Sequence, residues 1–212
     1  MGNSDRNRTL ATAKEELDAQ NYEKVITLLT PLANAGDAEA EFALGYLYFT
    51  DYNYPPAVAY EWLKKAAEQG HADSCYHLAR FPDSAEFAPP LGEADRVQLL
   101  IRAGELGSMQ AQYDLGAFYA TGDWAGPKNE AEAVKWYTKA AQQGHPAAQY
   151  NVAFMFLKGE GVPQNSNEGI AWLGKAAEQG EDEARRLLAD IYRDGLFGIK
   201  KNAERARYWA KA

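Results

Sequence analysis

The chain has 212 residues, 46% of them hydrophobic, and sets 22 Lys and Arg against 30 Asp and Glu for a formal net charge of -8. That balance argues against a phosphate-binding surface, and so against nucleic acid as the partner; no apolar run approaches the roughly 18 residues of a membrane span. A single cysteine, Cys75, excludes an intramolecular disulfide.

Residues 1 to 8 are polar and read as a flexible lead. As written, the chain is expected to be cytoplasmic, or periplasmic if a leader has been removed. Thr9 to Gln20 and Tyr22 to Ala35 carry Leu10, Leu17, Val25, Leu28, Leu29 and Leu32 at helical spacing, which predicts a helical pair over 9–35. Pro31 is expected to bend or tighten the second of these helices.

From Gly36 onward the sequence repeats. Glu61-Trp-Leu-Lys-Lys-Ala-Ala-Glu-Gln-Gly70 returns as Lys135-Trp-Tyr-Thr-Lys-Ala-Ala-Gln-Gln-Gly144 and Ala171-Trp-Leu-Gly-Lys-Ala-Ala-Glu-Gln-Gly180, with a blurred copy ending at Gly107. By subtraction, the glycines at 36, 70, 107, 144 and 180 lie 34, 37, 37 and 36 residues apart. A fixed period in that range is the signature of a solenoid. Each copy places Trp and Ala, or Leu and Ala, four apart on one helical face and closes with Gly, the residue suited to a left-handed helix stop.

A second segment follows each glycine: Ala40-Glu-Phe-Ala-Leu-Gly-Tyr-Leu-Tyr48, Ala111-Gln-Tyr-Asp-Leu-Gly-Ala-Phe-Tyr119, Ala148-Gln-Tyr-Asn-Val-Ala-Phe-Met-Phe156 and Ala184-Arg-Arg-Leu-Leu-Ala-Asp-Ile-Tyr192. Two amphipathic helices per repeat cannot bury their faces alone, and stacking gives them a common core. The repeats run about 37–69, 71–106, 108–143, 145–179 and 181–212, a single repeat domain over 9–212. Trp62, Trp136, Trp172 and Trp209 are expected to be largely buried between them.

The second repeat departs furthest, because Pro82 cuts its first helix short and Asp83 to Gly92 is loop chemistry. Two readings stand: a tolerated surface insertion, or an irregularity where a partner binds. From 181 onward there are eight basic and six acidic residues, +2 against -10 for the first 180.

The pattern Ala-Gln-Tyr-x-Leu-Gly-x-x-Tyr, the Gly159-Glu-Gly-Val-Pro163 loop and Trp-x-x-Lys-Ala-Ala-x-x-Gly resemble the Sel1-like repeats, relatives of the tetratricopeptide repeats, over residues 36 to 212. The resemblance implies an all-α, right-handed α/α solenoid of antiparallel helix pairs. It also implies a non-catalytic adaptor or scaffold that binds a protein or peptide. An immunity-type protein that covers a toxin is the alternative, and a weak hydrolase of the penicillin-interacting type a more distant one.

The residues offer little to the hydrolase: none of Ser4, Ser74, Ser84, Ser108 and Ser166 has Lys three positions on. His71 and His145 directly follow a repeat glycine, a helix-start position. His71 and Cys75 are four apart, but His77 falls on another face and no second ligand pair accompanies them. The Gly-x-Gly loop lacks the following Lys-Ser or Lys-Thr of a phosphate cradle, so it reads as a turn. No catalytic, cofactor or metal residue is assigned.

If the register is that of tetratricopeptide repeats, the inner, concave face carries Phe42, Tyr76, Tyr113, Tyr150 and Arg186 in one column, and Tyr46, Arg80, Ala117, Phe154 and Asp190 in the next. These columns, with Phe49, His77, Asp114 and Asn151, form the predicted partner-binding surface, since Tyr gives large contact area with a polar tip. The Tyr of the first column is also part of the repeat pattern, so packing against the next repeat is the competing reading.

Overall fold

The computed structural model describes residues 2–50, 55–82, 91–122 and 127–211. They form an all-α solenoid of antiparallel pairs, with one short 3₁₀ helix and no strand among the described residues. The pairs are α1 (Asn3–Asp18) with α2 (Tyr22–Asn34), α3 (Ala38–Thr50) with α4 (Pro56–Glu68), α5 (Ala72–Ala79) with α6 (Glu93–Glu105), α7 (Met109–Thr121) with α8 (Glu130–Gln142), α9 (Pro146–Lys158) with α10 (Ser166–Glu178), and α11 (Asp182–Asp194) with α12 (Ala203–Lys211). No described helix is long and apolar enough to cross a membrane.

The sequence reads as one array, whereas packing divides the chain into two compact units, Met1–Ser108 and Met109–Ala212. In a stack where each repeat touches only its neighbours, no single core extends along the whole chain. α1 begins at Asn3, within the residues 1 to 8 expected as a flexible lead. Its first turns are held by Arg6, which pairs with Asp37 at the start of the next repeat.

Local chemistry sets the joints. The closing glycines all have positive φ, 84° at Gly36 and 85° at Gly70, then 103°, 99° and 92° at Gly107, Gly144 and Gly180. Beyond Gly70, the His71 amide reaches back to the Ala66 carbonyl at 3.0 Å, the long bond of a Schellman stop. His71 and His145 then open α5 and α9 as N-caps. Each Nδ1 accepts a backbone N–H, from Ser74 and Ala148 respectively, at 3.3 Å. A histidine accepting at Nδ1 is neutral and carries its proton on Nε2.

Inside the second unit another joint recurs. Asn129, Asn165 and Asn202 donate their backbone N–H to the carbonyls of Tyr119, Phe156 and Tyr192 at 2.8, 2.8 and 2.7 Å, tying the start of each second helix to the end of the first. Their side chains accept from Glu132, Glu168 and Arg205. Asn followed three residues on by Glu is a capping signature visible in the sequence at 129 and 165. The Gly-x-Gly loop is a turn: Gly159 and Gly161 have φ of 75° and 71°, and a Cβ on Gly161 would strike the backbone of Glu130.

In the second repeat, α5 stops after 8 residues where α9 runs for 13. Arg96 of α6 takes over the end of the short helix, its guanidinium donating to the carbonyls of Ala79 at 2.8 Å and Phe81 at 2.9 Å. Residues 83–90, which include Phe87, lie outside the described residues, as does Trp124.

The repeat tryptophans divide. Trp136 and Trp172 are 5% and 8% exposed, whereas Trp62 and Trp209 are only half-buried, against the expectation for all four. A lysine one turn on lies over the ring in three repeats, Lys65 on Trp62 at 4.2 Å, Lys139 on Trp136 at 4.1 Å and Lys175 on Trp172 at 3.9 Å. Those lysines cover apolar surface with their stems and meet the ring's negative face with their charge.

Candidate functional site

The first helix of each repeat carries the predicted surface, and each unit assembles its part differently. In Met1–Ser108, the ring of Phe42 stacks on His71 at 4.4 Å. His77 sits among Phe42, Tyr46 and Phe49, with ring centroids at 5.9, 5.0 and 5.8 Å, and meets Tyr76 edge-on at 5.3 Å. Phe49 continues to Phe81 at 5.4 Å. Burial among these rings pushes the His77 pKa down, with Asp73 opposing and Arg80 adding to the shift. Arg80, exposed at the end of α5, lies over the Tyr76 ring at 5.7 Å.

Phe42 and Tyr46 also line a groove of about 600 Å³. One wall is the α1 stripe Arg6, Leu10, Lys14 and Leu17; the other is the α3 stripe Glu39, Phe42, Ala43 and Tyr46; Val25 and Leu29 of α2 form the floor. Leu17 and Tyr46 are 37% and 39% exposed. The sequence marked Phe42 and Tyr46 for this surface but assigned Leu10 and Leu17 to the core of the first pair.

In Met109–Ala212, Tyr113 stacks on His145 at 4.3 Å, nearly parallel, and approaches Tyr137 at 5.8 Å. Burial lowers the His145 pKa, and the charge of Asp114 works against that shift. Asp114 itself accepts from Gln110 at 3.1 Å. Tyr137 belongs to the second helix of its repeat and was not in the predicted surface. It reaches the α9 side because Gly116 has no side chain; a Cβ there would run into its ring. Its hydroxyl bonds with Asn151, and burial pushes its pKa up to about 12.

Tyr137, Tyr150, Asn151 and Phe154 line a cavity of about 280 Å³ whose rim holds Lys128, Glu130 and Glu160. Lys128 pairs with Glu130 at 2.7 Å. Tyr150 and Phe154 stack at 6.4 Å, and Lys158 lies over the Phe154 ring at 4.3 Å. Arg186 is not drawn into this cluster: it is exposed on α11 and pairs with Glu183 at 2.7 Å. Arg stands there in the column that holds aromatic residues in the earlier repeats.

The aromatic column therefore serves the stack at Phe42 and Tyr113, whose rings pack on the histidine caps of the next repeat. Tyr46 is exposed, and Tyr150 and Phe154 line the cavity beside Tyr137. Charge is unevenly divided: Met1–Ser108 contains 9 basic and 17 acidic residues, net -8, whereas Met109–Ala212 contains 13 of each. Among the described residues no three His, Cys, Asp or Glu side chains gather as a metal site. Cys75 is buried, its sulfur 3.9 Å from the Ala67 carbonyl, and burial pushes the thiol pKa up.

The family model described as the Sel1 repeat matches residues 38–71, 110–145, 146–181 and 182–212. The chain belongs to the Sel1 repeat family. The second repeat, with its short α5, is the stretch between 71 and 110 that the Sel1 model leaves unmatched. Among solved structures, a Sel1 repeat protein from Oxalobacter formigenes is 26% identical, with a TM-score of 0.64 over 96% of this chain and 95% of its own. A protective antigen present in uropathogenic Escherichia coli strains, displaying an SLR fold, is 31% identical with a TM-score of 0.74. It covers 95% of this chain, which spans 44% of its length. An immunity protein from Pseudomonas aeruginosa, 15% identical with a TM-score of 0.52 over 88% of this chain and 71% of its own, shares the Sel1-type fold. No curated protein sequence matches the chain.

Proposed function

We propose that this Sel1 repeat chain is a non-catalytic adaptor or scaffold that takes a protein or peptide partner on the face lined by the first helices of its repeats. The observation that carries this reading is the half-open aromatic surface at positions the repeat pattern does not require. Tyr46 is 39% exposed, and Phe154 lies beside a cavity lined by Tyr137, Tyr150 and Asn151. Rigid aromatic rings with polar tips supply contact area at low entropic cost, as hot-spot residues do.

The test is capture of a partner from the native host by the purified chain, repeated with Phe154→Ala and with Tyr113→Ala. Lost capture at an unchanged thermal midpoint for Phe154→Ala supports the surface. Tyr113→Ala is expected to lower the midpoint, because its ring packs on His145. Capture indifferent to both substitutions would remove this face from consideration.

A second reading is an immunity-type protein that covers a toxin, and the net charge of -8 in Met1–Ser108 favours it by suiting a basic target. A single captured partner with toxic activity that the chain suppresses would select this version; several partners held together would select the scaffold.

A further inference from the structure

We propose that α12 and the turn before it, residues 196–211, form a second docking surface, which takes a short acidic segment of a partner protein around Tyr208. It rests on the protein-binding reading and extends it to a helix that carries none of the aromatic columns.

The repeat frame shows which side chains here are not called for by packing. Tyr208 falls where the first, third and fourth repeats carry Glu61, Lys135 and Ala171, and that place is exposed in all of them. Its 63% exposure, the largest of any bulky apolar side chain among the described residues, therefore does not come from standing in the last helix. Counting from the capping Asn202 and Asn165, Lys200 and Lys201 replace Pro163 and Gln164, and Arg207 replaces Ile170, which is partly buried in the fourth repeat. A solvated outer face can be built from either sign of charge, and these three exchanges are all to cations.

The charge excess is local. From Asp190 to Lys211 six cations stand against three acids. Arg193 holds two of the acids, Asp190 at 2.8 Å and Asp194 at 2.7 Å, and Lys201, whose stem lies against Gly195, adds to the field on Asp194. Glu204 is the one acid left for the other cations, and among the described residues none of Lys200, Lys201, Arg205, Arg207 and Lys211 is in an ion pair. Arg205 has a neutral partner: it donates to the Tyr192 hydroxyl at 3.0 Å. Arg205 and Lys211 each lie three residues from Tyr208, so the ring has a cation one turn away on either side, with Glu204 four residues before it.

An acidic segment complements this face, because its carboxylates meet the flanking cations while Tyr208 offers ring area and a hydroxyl; a basic segment is repelled. α12 has 9 residues. At 1.5 Å per residue it is about 13 Å long, the span of about four residues of extended chain. A lipid surface fits less well, because a helix lying in a bilayer needs its apolar stripe free. α12 turns that stripe inward, burying Ala206 and packing Trp209 against the core of its unit.

The full chain is titrated, by fluorescence anisotropy, with a short labelled peptide of glutamates around one central leucine. A matched lysine peptide, a labelled single-stranded oligonucleotide of equal charge, and sedimented vesicles of phosphatidylserine and phosphatidylcholine serve as controls. Saturable binding of the glutamate peptide alone is expected, weakened about tenfold by the double substitution Lys200→Gln, Lys201→Gln and about fivefold by Tyr208→Ser. Lys135→Gln, which removes a cation at the place of Tyr208 in the third repeat, leaves the affinity unchanged, and thermal midpoints check that all the variants stay folded.

No saturable binding of the glutamate peptide, equal binding of the lysine peptide, the oligonucleotide or the vesicles, an equal loss with Lys135→Gln, or indifference to the folded α12 variants overturns the proposal. The titration reads this patch alone. Its failure therefore leaves the broader protein-binding reading to be decided by partner capture with the Phe154 variant.

Discussion

Gln69 donates its side-chain amide to the buried carboxyl of Glu41 at 2.7 Å, at the place where later repeats join glutamine to glutamine. Gln143 meets Gln112, and Gln179 meets Gln149, each at 2.8 Å. Gln149 uses its own amide as well, donating to the Ala141 carbonyl at 3.1 Å. A carboxylate has no proton for such a second bond, and Glu41 is only 3% exposed. Burial accordingly pushes its pKa up, with the Gln69 amide opposing.

The pH consequence follows from that direction. A carboxyl whose folded pKa is raised contributes its stability below the unfolded value and loses it as pH rises through the folded one. Glu41→Gln is therefore expected to stabilise the chain at neutral pH by on the order of 1 kcal/mol. The advantage should shrink as pH falls through the raised folded value and be smallest below the ordinary carboxyl value. Urea midpoints of both proteins at neutral and acid pH check it, and an advantage that grows toward acid would refute the assignment.

His145 has the opposite sign. Its neutral ring caps α9 and stacks on Tyr113, and burial depresses its pKa while Asp114 partly restores it. The stability from this cap is present above the ordinary histidine value and lost as pH falls through the depressed one. His145→Asn, which keeps a capping oxygen and does not titrate, should flatten the decline between about pH 7 and 5. The expected difference is about 1 kcal/mol, the usual worth of an N-cap. Identical melting profiles of wild type and variant across that range would show that the cap does not titrate.

Tryptophans at the same place in the repeat should differ in worth. Trp136→Ala removes a ring that is 5% exposed and should cost about 3 to 5 kcal/mol, as large-to-small core substitutions do. Trp62→Ala, at a half-buried ring, should cost less. Chemical denaturation of the two variants compares them, and equal costs would mean that burial does not set the scale.

Gly116→Ala drives a Cβ into the Tyr137 ring and should destabilise by about 1 to 3 kcal/mol. Adding Tyr137→Leu reproduces Ala153 and Leu173, the buried residues at the corresponding places of the fourth repeat. The double variant should be more stable than the sum of the single costs requires. A double-mutant cycle measures that coupling, and strict additivity would mean the two residues do not meet.

The sequence by itself determined the features that depend on neighbouring residues along the chain. The glycine period, the helix pairs and the histidine caps are legible there because helix stops and N-caps act within a few residues of themselves. The early end of α5 at Pro82 is local in the same sense.

What the sequence left open involves meetings across the stack. Cys75 stands in the column of Glu41, Gln112 and Gln149, so its burial reflects a structural place rather than a ligand's. Tyr137 reaches Asn151 only because Gly116, on another helix, clears the way. Phe42 and Tyr113 share a column with Tyr150, but the first two find a histidine on the next repeat while Glu181 stands at that cap after Tyr150. The groove between α1 and α3 depends on how far two helices stand apart, and no periodicity encodes that distance. Each of these was decided by tertiary packing, because a side chain's exposure is a property of what the fold places beside it.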